Sequence, residues 1–126
     1  MKLLLVLFTT SIFAAVWAES KDEDIASQIS KDIHKHKVVV YSKTYCPYSK
    51  KLKRMLGQYK INDLKIIELD KQKEMKAMQA VLKRMTGKST VPQLFIGGEF
   101  IGGHDETRQI EDKGGLRKLL EKAHAL

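Results

Sequence analysis

The chain has 126 residues, 43% of them hydrophobic and 30% charged, with 23 Lys+Arg against 15 Asp+Glu for a formal charge of +8. That length supports one small domain around a single core and excludes a second one. The basic surplus raises nucleic acid, anionic membranes and acidic partners as candidates. However, Lys50, Lys51, Lys53, Arg54, Lys83 and Arg84 are spread along helical segments without interleaved exposed aromatics or a nucleic-acid motif, so they read as a solvated face.

Residues 1–18 read as a secretory signal peptide. Lys2 gives a positive start, Leu3 to Phe8 an apolar centre, and Val16 and Ala18 occupy the −3 and −1 positions for cleavage before Glu19. The domain is then 19–126, about 108 residues, and is expected in the secretory-pathway lumen or outside the cell. An uncleaved, signal-anchored membrane form is the alternative. Spanning a bilayer takes about 20 predominantly apolar residues, and Thr9, Thr10 and Ser11 interrupt this run. No Asn-x-Ser/Thr sequon or Lys-Asp-Glu-Leu type tail accompanies the signal.

Beyond the polar stretch 19–24, Ile25, Ile29 and Ile33 recur at helical spacing and predict a first helix. Lys37 to Tyr41 is a β-branched run suited to a buried strand. Tyr48, Leu52, Met55, Leu56 and Tyr59 then fall on one face of a second helix. Leu64 to Leu69 reads as a strand. Met75, Met78, Leu82 and Met85 line a third helix closed by Gly87. Gln93 to Ile96 and Glu99 to Ile101 flank Gly97-Gly98, a two-residue hairpin signal. A short helix over Asp105 to Glu111 and a terminal one beyond Gly114-Gly115 complete the order α-β-α-β-α-β-β-α-α. The fold class is α/β: two parallel strands joined by a crossover helix, then a hairpin, giving a four-stranded mixed sheet flanked by helices. No repeats or low-complexity tracts occur.

Cys46 is the single cysteine. Small exported domains usually pair an even number of cysteines into staples, and here none can pair within the chain. Its position points elsewhere. A strand delivers it to a helix opened by Pro47, where unpaired backbone N–H groups and the positive end of the helix dipole favour a thiolate. Ligands of open α/β sheets sit beyond the carboxyl ends of the parallel strands, which is where Cys46 emerges.

Three segments carry a specific resemblance. They are Lys43-Thr44-Tyr45-Cys46-Pro47-Tyr48-Ser49, Thr86-Gly87-Lys88-Ser89-Thr90-Val91-Pro92-Gln93, and Phe95-Ile96-Gly97-Gly98-Glu99-Phe100-Ile101-Gly102-Gly103-His104-Asp105. In this order the chain resembles a glutaredoxin of the thioredoxin-fold superfamily. The resemblance implies a glutathione-disulfide oxidoreductase with Cys46 as the nucleophile and glutathione as co-substrate. It places Lys43 beside the cysteine and near the glycyl carboxylate of glutathione, with Gln79 helping to hold that carboxylate. It makes Pro92 cis, so that the Val91 backbone meets the cysteinyl part, while Thr90 shapes the loop. Gly102 and Gly103 permit close backbone approach, His104 and Asp105 offer N–H groups to the γ-glutamyl carboxylate, and Asp105 also meets the glutamyl ammonium. Tyr48 walls the sulfur, a role compatible with opening the apolar helix stripe.

Many members have a second cysteine where this chain has Ser49, so the resemblance implies a monothiol cycle acting on glutathionylated proteins. His104 stands where several relatives have cysteine. A metal site is not expected, because Cys46, His104 and the distant His34, His36 and His124 show no ligand spacing. The alternative from another class is a [2Fe-2S] cluster bridging two subunits through one cysteine each and bound glutathione. Pro47 argues against it, because cluster binders often have a small or polar residue there. A monomer is expected, with the cluster-bridged dimer as the alternative.

Overall fold

The computed structural model describes residues 21–126. The expected signal segment 1–18 and the domain start at Glu19 lie outside the described residues. Helix α1 covers residues 21–35, followed by β1 (Val38–Ser42), α2 (Pro47–Leu56), β2 (Leu64–Glu68), a 3₁₀ turn (Leu69–Lys71), α3 (Met75–Thr86), β3 (Gln93–Ile96), β4 (Glu99–Gly102), α4 (His104–Asp112) and α5 (Gly115–Lys122). The sheet order is β2-β1-β3-β4. β1 pairs parallel with β2, Val38 opposite Leu64, and antiparallel with β3, Val38 opposite Ile96.

The unbroken apolar run of β1 reflects its place in the middle of the sheet, with both faces covered. Alternation along the strand divides it between two cores. Val38 and Val40 join Leu52, Met55, Leu56, Leu94, Leu116 and Leu120 on the side of α2 and α5. Val39 and Tyr41 join Ile29, Ile33, Val81, Leu82 and Phe95 on the side of α1 and α3. With β1 gripped on four sides, the loop at its carboxyl end is held on a rigid base.

The hairpin forms as the two glycines require: Gly97 (φ 59°) and Gly98 (φ 82°) both have positive φ, the pattern of the turn that matches strand twist. Three expectations need correction. The strand foreseen over Leu64 to Leu69 ends at Glu68, because Leu69 turns inward and is buried in the 3₁₀ turn. That turn carries Asp70 to the backbone N–H of Thr44 (3.0 Å) and to its hydroxyl. On α3 the stripe fades at its end: Val81 and Leu82 are buried while Met85, in the last turn, is exposed. Tyr48, placed in the apolar stripe of α2, is 53% exposed; the helix buries Ser49, Leu52, Met55 and Leu56 instead. Among the described residues no helix is long and apolar enough to cross a membrane.

Candidate active site

Cys46 is the N-cap of α2, with extended backbone (φ −79°, ψ 120°) and Pro47 as the first helical residue. The Cys46 carbonyl accepts the first helical bond, from Lys50 N at 3.0 Å, and no side chain caps the helix. Pro47 has no N–H to offer, so the first free donors at this terminus belong to Tyr48 and Ser49. Partial burial alone would push the Cys46 thiol up. It is outweighed by the hydroxyl and backbone N–H of Ser49, the N–H of Tyr48 and the charge of Lys43, which together hold the thiol below its ordinary value. Cys46 is therefore biased toward the thiolate, the nucleophilic form.

Ser49 is fully buried and its Oγ also lies 3.4 Å from Lys43 N, within hydrogen-bonding reach of that donor. The loop that precedes the cysteine is fixed at two points, by this contact and by the Thr44–Asp70 bonds. Facing it is the Val91–Pro92 peptide, which is cis. The Val91 carbonyl lies 3.9 Å from Cys46 Sγ, and Val91 precedes β3, outside the sheet ladder. The segment 86–93 is tied together internally. Buried Gln93 donates from Nε2 to the carbonyls of Lys88 (2.7 Å) and Thr90 (3.2 Å), and the Thr86 hydroxyl donates to Gln93 Oε1 at 3.1 Å.

A third wall comes from α4. Gly102 has φ 134°, and a Cβ there would meet Glu106 Cβ at 2.7 Å, so only glycine lets β4 turn into the helix this closely. Glu106 accepts from Gly103 N at 3.3 Å. Its other oxygen pairs with Lys88 across the gap. Lys88 above all, with the N–H groups of the helix start, keeps the Glu106 carboxyl below its ordinary value.

The walls enclose an open cavity of about 610 Å³ lined by Tyr48, Lys88, Thr90, Val91, Pro92, Gly103, His104, Asp105, Glu106 and Gln109. Seven residues singled out in the sequence thus meet here: Tyr48, Thr90, Val91, Pro92, Gly103, His104 and Asp105. Cys46 stands at the edge beside Val91. Lys43 and Gln79 do not line the cavity; Lys43 acts on the sulfur through its charge. The first N–H groups of α4, which no helix satisfies internally, lie at the cavity wall with Asp105, whose side chain is 82% exposed. Among the described residues no cluster of three or more His, Cys, Asp or Glu is placed to hold a metal ion.

Lys88, Glu106 and Gln109 line the cavity without standing out in the sequence, where Ser49 marks only the absence of a thiol. The Lys88–Glu106 pair had no local signal, because it spans two elements that only the hairpin brings together. Ser49 did have one: it is the third residue from a helix N-cap, where an N–H and a hydroxyl both point back toward the cap.

Residues 38–101 match the family model described as Glutaredoxin. The chain is 52% identical to an uncharacterized monothiol glutaredoxin of Caenorhabditis elegans, over 98% of this chain and 87% of that protein. Its fold superposes on the crystal structure of a buckwheat glutaredoxin–glutathione complex with a TM-score of 0.82 at 33% identity, covering 86% of this chain and 97% of that one. It superposes on oxidized glutaredoxin 2 from Chlamydomonas reinhardtii with a TM-score of 0.79 at 41% identity, covering 83% and 98%. A strand-delivered, thiolate-favouring cysteine facing a cis-proline segment and a helix N-terminus agrees with these matches, and the chain belongs to the glutaredoxin family of thiol–disulfide oxidoreductases.

Proposed function

We propose that the protein binds glutathione and reduces protein–glutathione mixed disulfides by a monothiol cycle. The observation that carries this reading is one juxtaposition. A lone cysteine, biased toward thiolate and lacking a thiol partner at Ser49, stands at the edge of a cavity of about 610 Å³, within the ~300–1,000 Å³ range of small-molecule sites. The tripeptide's γ-glutamyl carboxylate fits the N–H groups of His104 and Asp105, its ammonium fits the Asp105 carboxylate, and its cysteinyl backbone fits Val91. Thr90, Pro92 and Tyr48 supply walls. Lys43 and Gln79, outside the cavity lining, are assigned to the glycyl carboxylate.

The Cys46 thiolate attacks the glutathione sulfur of the mixed disulfide, and the substrate's sulfur leaves as a thiolate that takes up a proton. Free glutathione, as its thiolate, then attacks the glutathione sulfur of Cys46–SG, which releases oxidised glutathione and restores the Cys46 thiolate. No second protein thiol is needed. We further infer that residues 1–18 direct the chain into the secretory pathway, and N-terminal sequencing of the protein recovered from a secreting host tests this. A start at Glu19 supports it, and retention of Met1 contradicts cleavage.

A glutathione-coupled reduction assay on a glutathionylated protein, run with wild type and Cys46→Ser, tests the enzymatic reading. Turnover confined to wild type supports it, and turnover retained in the variant overturns it. Anaerobic purification separates the remaining class: a colourless monomer supports the enzyme, whereas a brown dimer with visible absorbance supports a glutathione-ligated [2Fe-2S] scaffold.

A further inference from the structure

A second groove, of about 310 Å³, lies between α2 and α4 and is lined by Lys51, Arg54, Met55, Gln58, His104 and Arg108. Three of these six residues are permanent cations and none is an acid. His104 lines both this groove and the larger cavity. Its ring lies 5.4 Å from that of Tyr48, and Lys51 Nζ stands 5.2 Å from the Tyr48 ring centre. The Tyr48–His104 pair is thus a ridge with the candidate glutathione cavity on one side and a cationic groove on the other. Among the described residues Lys51 and Arg54 have no ion-pair partner. Arg108 has, among the described residues, only Asp112, at 3.2 Å and well exposed, the kind of pair that is weak and readily exchanged.

We propose that this groove docks acidic residues that flank the glutathionylated cysteine of a protein substrate. The inference rests on the function proposed above and adds to it a substrate class. In the first exchange the tripeptide occupies the cavity and the substrate's own sulfur is the leaving group, so the polypeptide lies outside the cavity but only one disulfide away from Cys46. The surface next to the ridge is the cationic groove. A concave site lined by one sign of charge focuses its field and raises the encounter rate of an opposite charge. The same basic residues that read as a solvated face in sequence become a site because the fold brings Arg108 of α4 against Lys51 and Arg54 of α2.

The chemistry is that of the proposed monothiol cycle. One S–S bond forms at Cys46 as the substrate's breaks, the departing thiolate is protonated from solvent, and glutathione supplies the reducing equivalents. Docking changes which mixed disulfide arrives, not the bonds exchanged.

The test uses three short peptides, each carrying one glutathionylated cysteine flanked by glutamates, by neutral residues or by lysines, with wild type and Arg54→Gln/Arg108→Gln. Both replaced residues are exposed and outside the catalytic site. Wild type should favour the acidic peptide in kcat/KM, and the variant should lose about two- to tenfold on that peptide through KM, with kcat and the neutral peptide unchanged. The wild-type preference should fade with added salt. Equal rates on all three peptides in wild type, or an equal loss on all three in the variant, would overturn docking. Absence of wild-type turnover on every peptide would instead sink the proposed function. In that event fluorescence anisotropy with a cysteine-free glutamate peptide still decides the groove: binding weakened by the two substitutions supports it, and no binding contradicts it. Vesicles of phosphatidylcholine with phosphatidylserine form the last arm. Sedimentation that depends on Arg54 and Arg108, without any peptide preference, would assign the groove to a membrane surface and overturn the proposal.

Discussion

The two ends of β1 use polar groups in opposite ways. At the amino end, Asp63 accepts from the ring of His36 at 2.6 Å and from Lys37 N at 3.0 Å, while Lys37 Nζ donates to Asn62 (3.0 Å) and to the His124 carbonyl (2.8 Å). Every partner there is supplied by the chain itself, and the network ties the start of β1 to the turn before β2 and to the C-terminus. At the carboxyl end, the first N–H groups of α4 and the backbone of Val91 line an open cavity. Polar groups that the fold satisfies hold it together, and those it leaves unsatisfied are available to a ligand. Substitutions at the amino end should therefore change stability and spare turnover, and those at the carboxyl end the reverse.

The largest effect is expected at Cys46. Cys46→Ser should lower glutathione-dependent turnover by roughly 10³-fold or more and leave the melting temperature close to wild type; steady-state rates and a thermal melt measure both. The opposite end gives the next largest. Asp63→Ala removes the acceptor for His36 and Lys37 and places alanine at a φ of 63°, so the protein should melt several degrees lower with kcat/KM intact.

The same site has a pH signature. The His36 hydrogen bond first, then Lys37 N–H, hold the Asp63 carboxyl below its ordinary value. Its stabilisation is complete above the unfolded value of about 3.9 and is lost as pH falls through the lower folded value. Melting temperatures of wild type should thus drop more steeply below about pH 4 than those of Asp63→Ala. Parallel curves would mean that the pair does not tie the two segments.

Asp105→Ala should raise the KM for glutathione about three- to tenfold while leaving the melt unchanged, because the side chain is exposed and among the described residues bonds only to neighbouring His104, at 2.9 Å. A comparable loss on a disulfide lacking glutathione would contradict an ammonium contact.

The smallest and most diagnostic effects belong to Ser49→Ala and Lys43→Gln. Both remove support for the thiolate, so both should move the acid limb of the pH–rate profile upward, Ser49→Ala by more. A lowered pKa raises the thiolate fraction but weakens each thiolate as a nucleophile, with a Brønsted slope of about 0.4–0.5, so the attacking step gains little. The gain lies where Cys46 is the leaving group. Rapid mixing should therefore show the second exchange, glutathione on Cys46–SG, slowed more than the first in both variants.

What the sequence shows and what it hides follow from the range of each interaction. β1 was legible because four apolar residues in a row have few homes other than a doubly covered strand. The site turn was legible because Cys46 and Pro47 are neighbours and proline opens helices. The hairpin glycines needed only local geometry. By contrast, the 3₁₀ turn at Leu69–Lys71 exists to bury Leu69 and to meet Thr44, a residue 26 positions away, and no window of sequence contains both. Tyr48 has the right spacing for the apolar stripe of α2, yet it sits at the helix start, where the core gives way to the cavity. Lys88 and Glu106 look like surface charges until the hairpin sets them across one opening.

In the proposed cycle one thiol performs both exchanges. Mixing the reduced protein with a stoichiometric glutathionylated protein, quenching with acid and measuring intact mass before and after adding free glutathione tests it most directly. The expected result is a single glutathione adduct on Cys46, formed as substrate thiol appears and removed by free glutathione with release of oxidised glutathione. Turnover that proceeds without that adduct, or an adduct that free glutathione does not remove, would contradict it.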